Sequence, residues 1–175
     1  MKLVVLLRGI NVGGHKRISM ADLRALLQAR GYADVQTYLQ SGNAVVSSDR
    51  PPEEVERDVA AAIASELGHD VDVVVRTGEE LAAVVASDPF ADVRDDHRFH
   101  QAVFLGGSAD AAQIARLEAT DFAPERLVVQ PGVLHAWCPD GTNDSPLMKA
   151  LAKLRTSATA RNWRTVEKLA EMAAA

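Results

Sequence analysis

The residues best suited to chemistry in this chain fall in two short polar stretches. Leu7-Arg8-Gly9-Ile10-Asn11-Val12-Gly13-Gly14 is an apolar run that breaks into a glycine-bearing loop, and Tyr38-Leu39-Gln40-Ser41-Gly42-Asn43 is a second polar turn. Backbone amides freed by glycines, with Arg8, Lys16 and Arg17 nearby, suit an anion. Asn11, Gln40, Ser41 and Asn43 add the donors and acceptors that orient a small polar ligand. The same residue types also satisfy tight turns without any ligand, so composition alone leaves both readings open.

Spacing narrows the chemistry. Gly9, Gly13 and Gly14 are not followed by the Lys-Ser/Thr of a P-loop, nor do they fit the dinucleotide G-x-G-x-x-G. The next helix starts near Ser19, so the glycines do not sit on its N-terminus. No Ser/His/Asp set and no G-x-S-x-G occurs, and Cys138 reads as a packed, inert thiol on a strand. Asp140–Asp144 lacks the final glutamate of a calcium loop and reads as a turn. His97 and His100, with Asp95 and Asp96 beside them, are a poor zinc set in what reads as a linker, and no metal is expected. Strand residues Val45-Val46-Ser47 carry no aromatic ring on which an RNA base could stack.

The elements that must position the two stretches follow from periodicity. Leu3–Leu7 reads as a central strand buried on both faces. Ser19 with Asp22 caps a helix carrying Leu23, Leu26 and Leu27, and Gly31 stops it. Val35–Leu39 and Ala44–Ser47 read as strands around Ser41-Gly42-Asn43. Pro51-Pro52 opens a second helix with Val55, Val59, Ile63 and Leu67 on its buried stripe and Gly68 at its end. Val71–Val75 is a further strand, completing β-α-β-β-α-β, the split-βαβ or ferredoxin-like order. Thr77 and Glu80 form a capping box for a short helix that ends before Pro89.

Residues 91–99 are charged and aperiodic, which places a linker between a lobe at 1–90 and another at 100–175. In the second lobe Gln101–Leu105 is a strand and Ser108 caps a helix. Leu127–Gln130 and Val133–Cys138 form a hairpin through Pro131-Gly132, and Ser145-Pro146 opens another helix. A closing helix from about Thr159 buries Trp163, Val166 and Leu169, so this lobe reads β-α-β-β-α plus a helix. The fold class is therefore α+β, two ferredoxin-like lobes with a C-terminal helical segment. In such a sheet the first strand lies antiparallel beside the third, which puts Arg8–Asn11 and Gln40–Asn43 on one edge.

Charge adds a second argument for an anion. Residues 1–30 and residues 145–168 each carry six basic side chains against one acidic, whereas residues 31–144 hold seven basic and 21 acidic. Basic ends around an acidic middle fit either mutual neutralisation or an anion site completed by Arg161 and Asn162. The net charge of −5 and 5% aromatic content speak against indiscriminate nucleic-acid binding. A single cysteine excludes an internal disulfide. The apolar run after Lys2 stops at Arg8, too short for a leader or a membrane span, which reads as cytoplasmic.

The pattern from Leu7 to Gly14, then Met20 and Leu23, then Thr37 to Asn43, resembles the DUF1697 family. The stretch Thr159-Ala160-Arg161-Asn162-Trp163-Arg164-Thr165-Val166 is similar to that family's T-x-R-N-W-x-T-V ending, with Arg164 where an asparagine is expected. The resemblance implies a bacterial-type α+β protein of uncharacterised role and supplies no catalytic residue and no cofactor. The function expected from the residues is binding of a small anionic or nucleotide-like ligand by Arg8, Asn11, Gly13, Gly14, Lys16, Gln40, Ser41, Asn43, Arg161 and Asn162. The alternatives are a nucleic-acid-associated protein using the basic ends and a structural module without a ligand. Whether the chain is an enzyme, and its oligomeric state, are left open.

Overall fold

A computed structural model of the chain describes residues 1–93 and 96–175. It is a mixed α/β structure with two four-stranded antiparallel sheets and six α-helices among the described residues. Contacts divide it into two compact units, Met1–Ala86 with Lys168–Ala175, and Ser87–Glu167. The linker read at 91–99 includes Arg94 and Asp95, which lie outside the described residues.

The first unit runs β1 (Lys2–Leu7), α1 (Met20–Ala29), β2 (Ala33–Tyr38), β3 (Asn43–Ser47), α2 (Pro52–Ala62), β4 (Val73–Thr77) and α3 (Gly78–Ala86). Its sheet order is β2-β3-β1-β4, every pair antiparallel. Leu3–Leu7 is wholly buried, as the unbroken apolar run requires of a central strand. Leu3, Val5 and Leu7 pack with Leu23 and Leu27 of α1 and Val55 and Val59 of α2. Burying each of these aliphatic side chains contributes about 1.5–3 kcal/mol. Ser19 Oγ accepts from Asp22 N at 3.0 Å and starts α1. The Thr77–Glu80 capping box is reciprocal, at 2.7 and 3.0 Å, and starts α3. A π-helical turn, Ile63–Leu67, extends α2 to Gly68, whose φ of 71° ends it as a left-handed cap.

The second unit runs β5 (His100–Gly106), α4 (Ala111–Ala119), β6 (Arg126–Gln130), β7 (Val133–Trp137), α5 (Pro146–Leu151) and β8 (Ser157–Asn162), with sheet order β6-β7-β5-β8. Helix α6 (Trp163–Ala174) begins here and ends in the first unit. Ser145 Oγ accepts from Met148 N at 2.9 Å, so Ser145-Pro146 opens α5 as expected.

Two expectations need correction. Ser108 does not cap α4: Asp110 does, accepting from Ala112 N and Gln113 N at 3.0 and 3.2 Å. A carboxylate two residues nearer the helix reaches the orphan amides, and the Ser108 carbonyl instead accepts from Thr156 Oγ1 at 3.0 Å. Nor does a helix start at Thr159. Residues 157–162 form β8, paired with β5 from Ser157↔Gly106 to Asn162↔Gln101, and the helix begins only at Trp163. The second unit therefore has a fourth strand, absent from the order β-α-β-β-α read from its sequence. Ala158 and Ala160 pack into the core that holds Val103, Leu105 and Leu134, whereas Thr159 and Arg161 are buried on the opposite face.

Candidate functional site

The glycine loop that leaves β1 closes on itself before α1. Asn11 N donates to Lys16 O at 3.1 Å, and His15 N donates to Val12 O at 3.0 Å. Gly9, Gly13 and Gly14 have φ of 64°, 57° and 80°, and the non-glycine residues Asn11 and Lys16 follow at 56° and 47°. Each left-handed non-glycine residue costs roughly 1–2 kcal/mol, so the rest of the loop must hold it there.

Asn11 supplies that hold. Its Nδ2 donates to Ile18 O at 2.8 Å and to Gln40 O at 2.6 Å, while its Oδ1 accepts from Ile18 N at 2.9 Å. One side chain thus joins the loop before α1 to the turn between β2 and β3. Asn11→Ala is expected to lower stability by about 2 kcal/mol through lost hydrogen bonds and an alanine forced to positive φ. Urea unfolding of the variant checks this.

The answering turn is built the same way. Asn43 is wholly buried, and its Nδ2 donates to Tyr38 O at 2.7 Å and Ser41 Oγ at 3.0 Å. Leu7 N donates to Gly42 O at 2.9 Å, which stitches the turn to the end of β1. Leu39, an exposed leucine at φ 58°, is strained at the tip. Three of the four non-glycine residues with positive φ among the described residues, Asn11, Lys16 and Leu39, therefore sit in these two loops.

Between the loops and the start of α1 lies an open concavity of about 570 Å³, lined by Asn11, Gly14, Arg17, Ile18, Ser19, Asp22 and Gln40. Arg17, expected from sequence as a cation near the loop but not as a ligand contact, is one of these lining residues. Its guanidinium makes no ion pair among the described residues, and a Cβ on Gly14 would lie 3.5 Å from its Nη2. The amides of Gly13 and Gly14 donate to no acceptor among the described residues. Two named cations are otherwise engaged. Arg8 Nη1 lies 3.3 Å from Asp72 Oδ2, a half-exposed pair of small energetic weight, and Lys16 Nζ donates to Asp70 O at 2.6 Å.

Arg161 and Asn162 belong to the second unit. The Arg161 guanidinium donates from Nη1 to Thr159 Oγ1 at 2.7 Å and to Ala160 O at 2.8 Å, and burial pushes its pKa down to about 10. Asn162 Oδ1 accepts from Thr165 N at 3.0 Å and so caps α6. Elsewhere in that unit a cavity of about 510 Å³ is lined by Phe122, Pro124, Glu125, Asp140 and Asp144, whose carboxylates disfavour an anion. Burial raises the pKa of the Cys138 thiol, which faces Ser145 Oγ at 3.5 Å. His97 Nδ1 faces Glu167 Oε2 at 3.1 Å, and Asp95 lies outside the described residues. No group of three or more metal-binding side chains occurs among the described residues, and no helix there is long and apolar enough to cross a membrane.

The model of a family described as a protein of unknown function, DUF1697, matches residues 1–135, which include both loops and the concavity. The chain belongs to the DUF1697 family. The match stops short of the Thr159–Val166 block. A solved structure of a conserved bacterial protein from Streptococcus pneumoniae superposes with a TM-score of 0.81 at 24% identity, covering 98% of each chain. At that identity the likeness bears on fold alone. No curated protein matches the chain.

Proposed function

We propose that this DUF1697 protein binds a small anionic, nucleotide-like ligand in the concavity of its first unit. The observation that carries the reading is the site's construction. Two strained loops are tied together through Asn11, and they leave Gly14, Arg17 and the start of α1 around one open space, with the Gly13 amide next in the chain. Loops held in costly conformations by a dedicated side chain are a feature of binding sites. Arg17 supplies a forked cation suited to phosphate or carboxylate, and the loop amides of Gly13 and Gly14 add donors.

The site is not purely basic, and that sharpens the ligand class. Asp22 lines the same concavity, so a bare anion meets one repulsive carboxylate. A ligand that pairs an anionic group with hydrogen-bond donors, as a nucleotide does, places its donors toward Asp22 and the exposed Gln40. Of the ten residues named from sequence, Gly13, Gly14 and Gln40 are assigned to ligand contact, with Asn11 and Asn43 holding the loops. The split-βαβ reading of each lobe is supported by the central pairing of the first and third strands, β1 with β3 and β5 with β7.

Thermal-shift measurements with inorganic phosphate and nucleoside mono-, di- and triphosphates test the proposal. A ligand at 100 times its Kd stabilises the protein by about 2.7 kcal/mol, so a clear rise in Tm is expected for at least one nucleotide. Arg17→Ala is expected to keep the parent Tm without ligand, since Arg17 makes no ion pair among the described residues, and to lose the ligand-induced rise. A flat response of the parent across all probes at millimolar concentration rejects the reading.

A further inference from the structure

The second unit contains a buried chain of polar side chains that the proposed site does not use. His100 and His135 are both wholly buried. His100 Nε2 lies 2.9 Å from His135 Nδ1, and His135 Nε2 lies 3.1 Å from Gln130 Oε1. Gln130 Nε2 donates to Ser87 O at 3.0 Å, and Ser87 Oγ donates to Gln130 Oε1 at 3.3 Å. At the other end His100 Nδ1 faces Asp88 Oδ1 at 3.6 Å. The chain starts on Ser87 and returns to its neighbour Asp88.

The direction of each hydrogen bond from Ser87 to His100 is decided by its members. Ser87 O can only accept, so the Gln130 amide must turn its nitrogen there and its oxygen toward His135. That oxygen can only accept, so His135 carries its proton on Nε2. Burial pushes the His135 pKa down to about 4, which leaves Nδ1 bare at neutral pH. The hydrogen between the rings therefore belongs to His100 Nε2. A neutral His100 would then point the lone pair of Nδ1 at the Asp88 carboxylate, whereas a second proton turns that contact into an ion pair.

We propose that Asp88, His100, His135, Gln130 and Ser87 form a proton-dependent clasp, with His100 held as an imidazolium, that pins Ser87–Phe90 to the second sheet. Loss of that proton opens the clasp. The surroundings within the unit bear on the charge from several elements. Trp163, at the start of α6, stacks face to face on the His100 ring at 4.2 Å and 13°, which favours a cation there, and the Phe90 ring lies perpendicular to it at 4.9 Å. Arg161 of β8 lies two register rows along, opposite Ala102, and opposes it. Arg126 of β6 sits over the Phe90 ring at 5.2 Å, and Glu167 of α6 is engaged by His97 at 3.1 Å. Asp88 is the carboxylate in direct line with Nδ1, and its Oδ1 also accepts from Phe90 N at 2.9 Å.

Imidazole nitrogen NMR of the full chain at neutral pH reads the ring directly. Both His100 nitrogens are expected to carry protons, with His135 protonated on Nε2 alone. As pH rises and His100 loses its proton, protection of the Phe90 amide against hydrogen exchange is expected to fall by about tenfold or more, while that of Val103 in β5 holds. Asp88→Asn is expected to leave His100 neutral at neutral pH. A neutral His100 in the folded parent, a His135 protonated on Nδ1, or loss of the His100 proton with Phe90 protection intact would each overturn the proposal. If Asp88→Asn does not fold, the titration of the parent alone decides.

Discussion

Lowering the pH from 6.5 toward 4 is expected to remove about 3 kcal/mol of unfolding free energy through His135 alone. The sign follows from which state holds the proton. Burial depresses the folded pKa from 6.5 to about 4, so between those values the unfolded chain is protonated at this position and the folded chain is not. The unfolded state thus binds more protons as pH falls, and stability drops. The contribution is fully present above pH 6.5 and gone once the pH passes below the folded value near 4. Urea unfolding across this range checks the size of the loss. His135→Gln, which has no proton to gain, is expected to flatten that part of the profile. An unchanged slope in the variant would show that other groups carry the acid sensitivity.

Gly42→Ala is expected to cost about 2–4 kcal/mol, the sum of a left-handed alanine and an overpacked contact. Gly42 has φ of 90°, and a Cβ there would lie 2.7 Å from Ile10 Cδ1 and 2.9 Å from Leu7 Cβ. Ile10 can give way by changing rotamer, but Leu7 Cβ is fixed to the central strand. Gly9→Ala makes the control, because Gly9 has φ of 64° and nothing within 4 Å of its added Cβ. That variant bears only the backbone term, about 1 kcal/mol. Chemical denaturation of the pair separates close packing from backbone preference: equal losses would mean the Ile10–Leu7–Gly42 contact carries no weight.

Much of the scaffold was legible because local signals and packing agree. The apolar run at Leu3–Leu7, the caps at Ser19, Thr77 and Ser145, and the glycine at Gly68 each act within a few residues of themselves. Strand β8 was not legible from such signals. Ser157–Asn162 alternates small and polar residues, with Thr159 its lone β-branched member, so pairing with β5 rather than intrinsic preference makes it a strand. The adjacency of the two polar loops could be read from the order of strands, since β1 and β3 pair with Leu6 opposite Asn43.

What each loop residue does was harder to read. Asn11 and Asn43 have the composition of ligand contacts, but their amide groups are taken up by Ile18 O, Gln40 O and Tyr38 O, the farthest of them 29 residues along the chain from Asn11. Conversely Arg17 gave no signal apart from its charge, and only the fold shows that it lines the concavity. Arg161 is a further case. An arginine in a basic segment reads as a surface cation, yet the alternation of β8 buries it.

The most direct test of the anion site is a backbone amide NMR titration of the full chain with a nucleoside diphosphate, with inorganic phosphate in parallel. Saturable shifts are expected at Gly13, Gly14, Arg17, Ser19 and Gln40, larger with the nucleotide than with phosphate and absent in Arg17→Ala. Shifts that are absent in the parent, or that gather on residues away from the concavity, would contradict the assignment of this edge as a binding site.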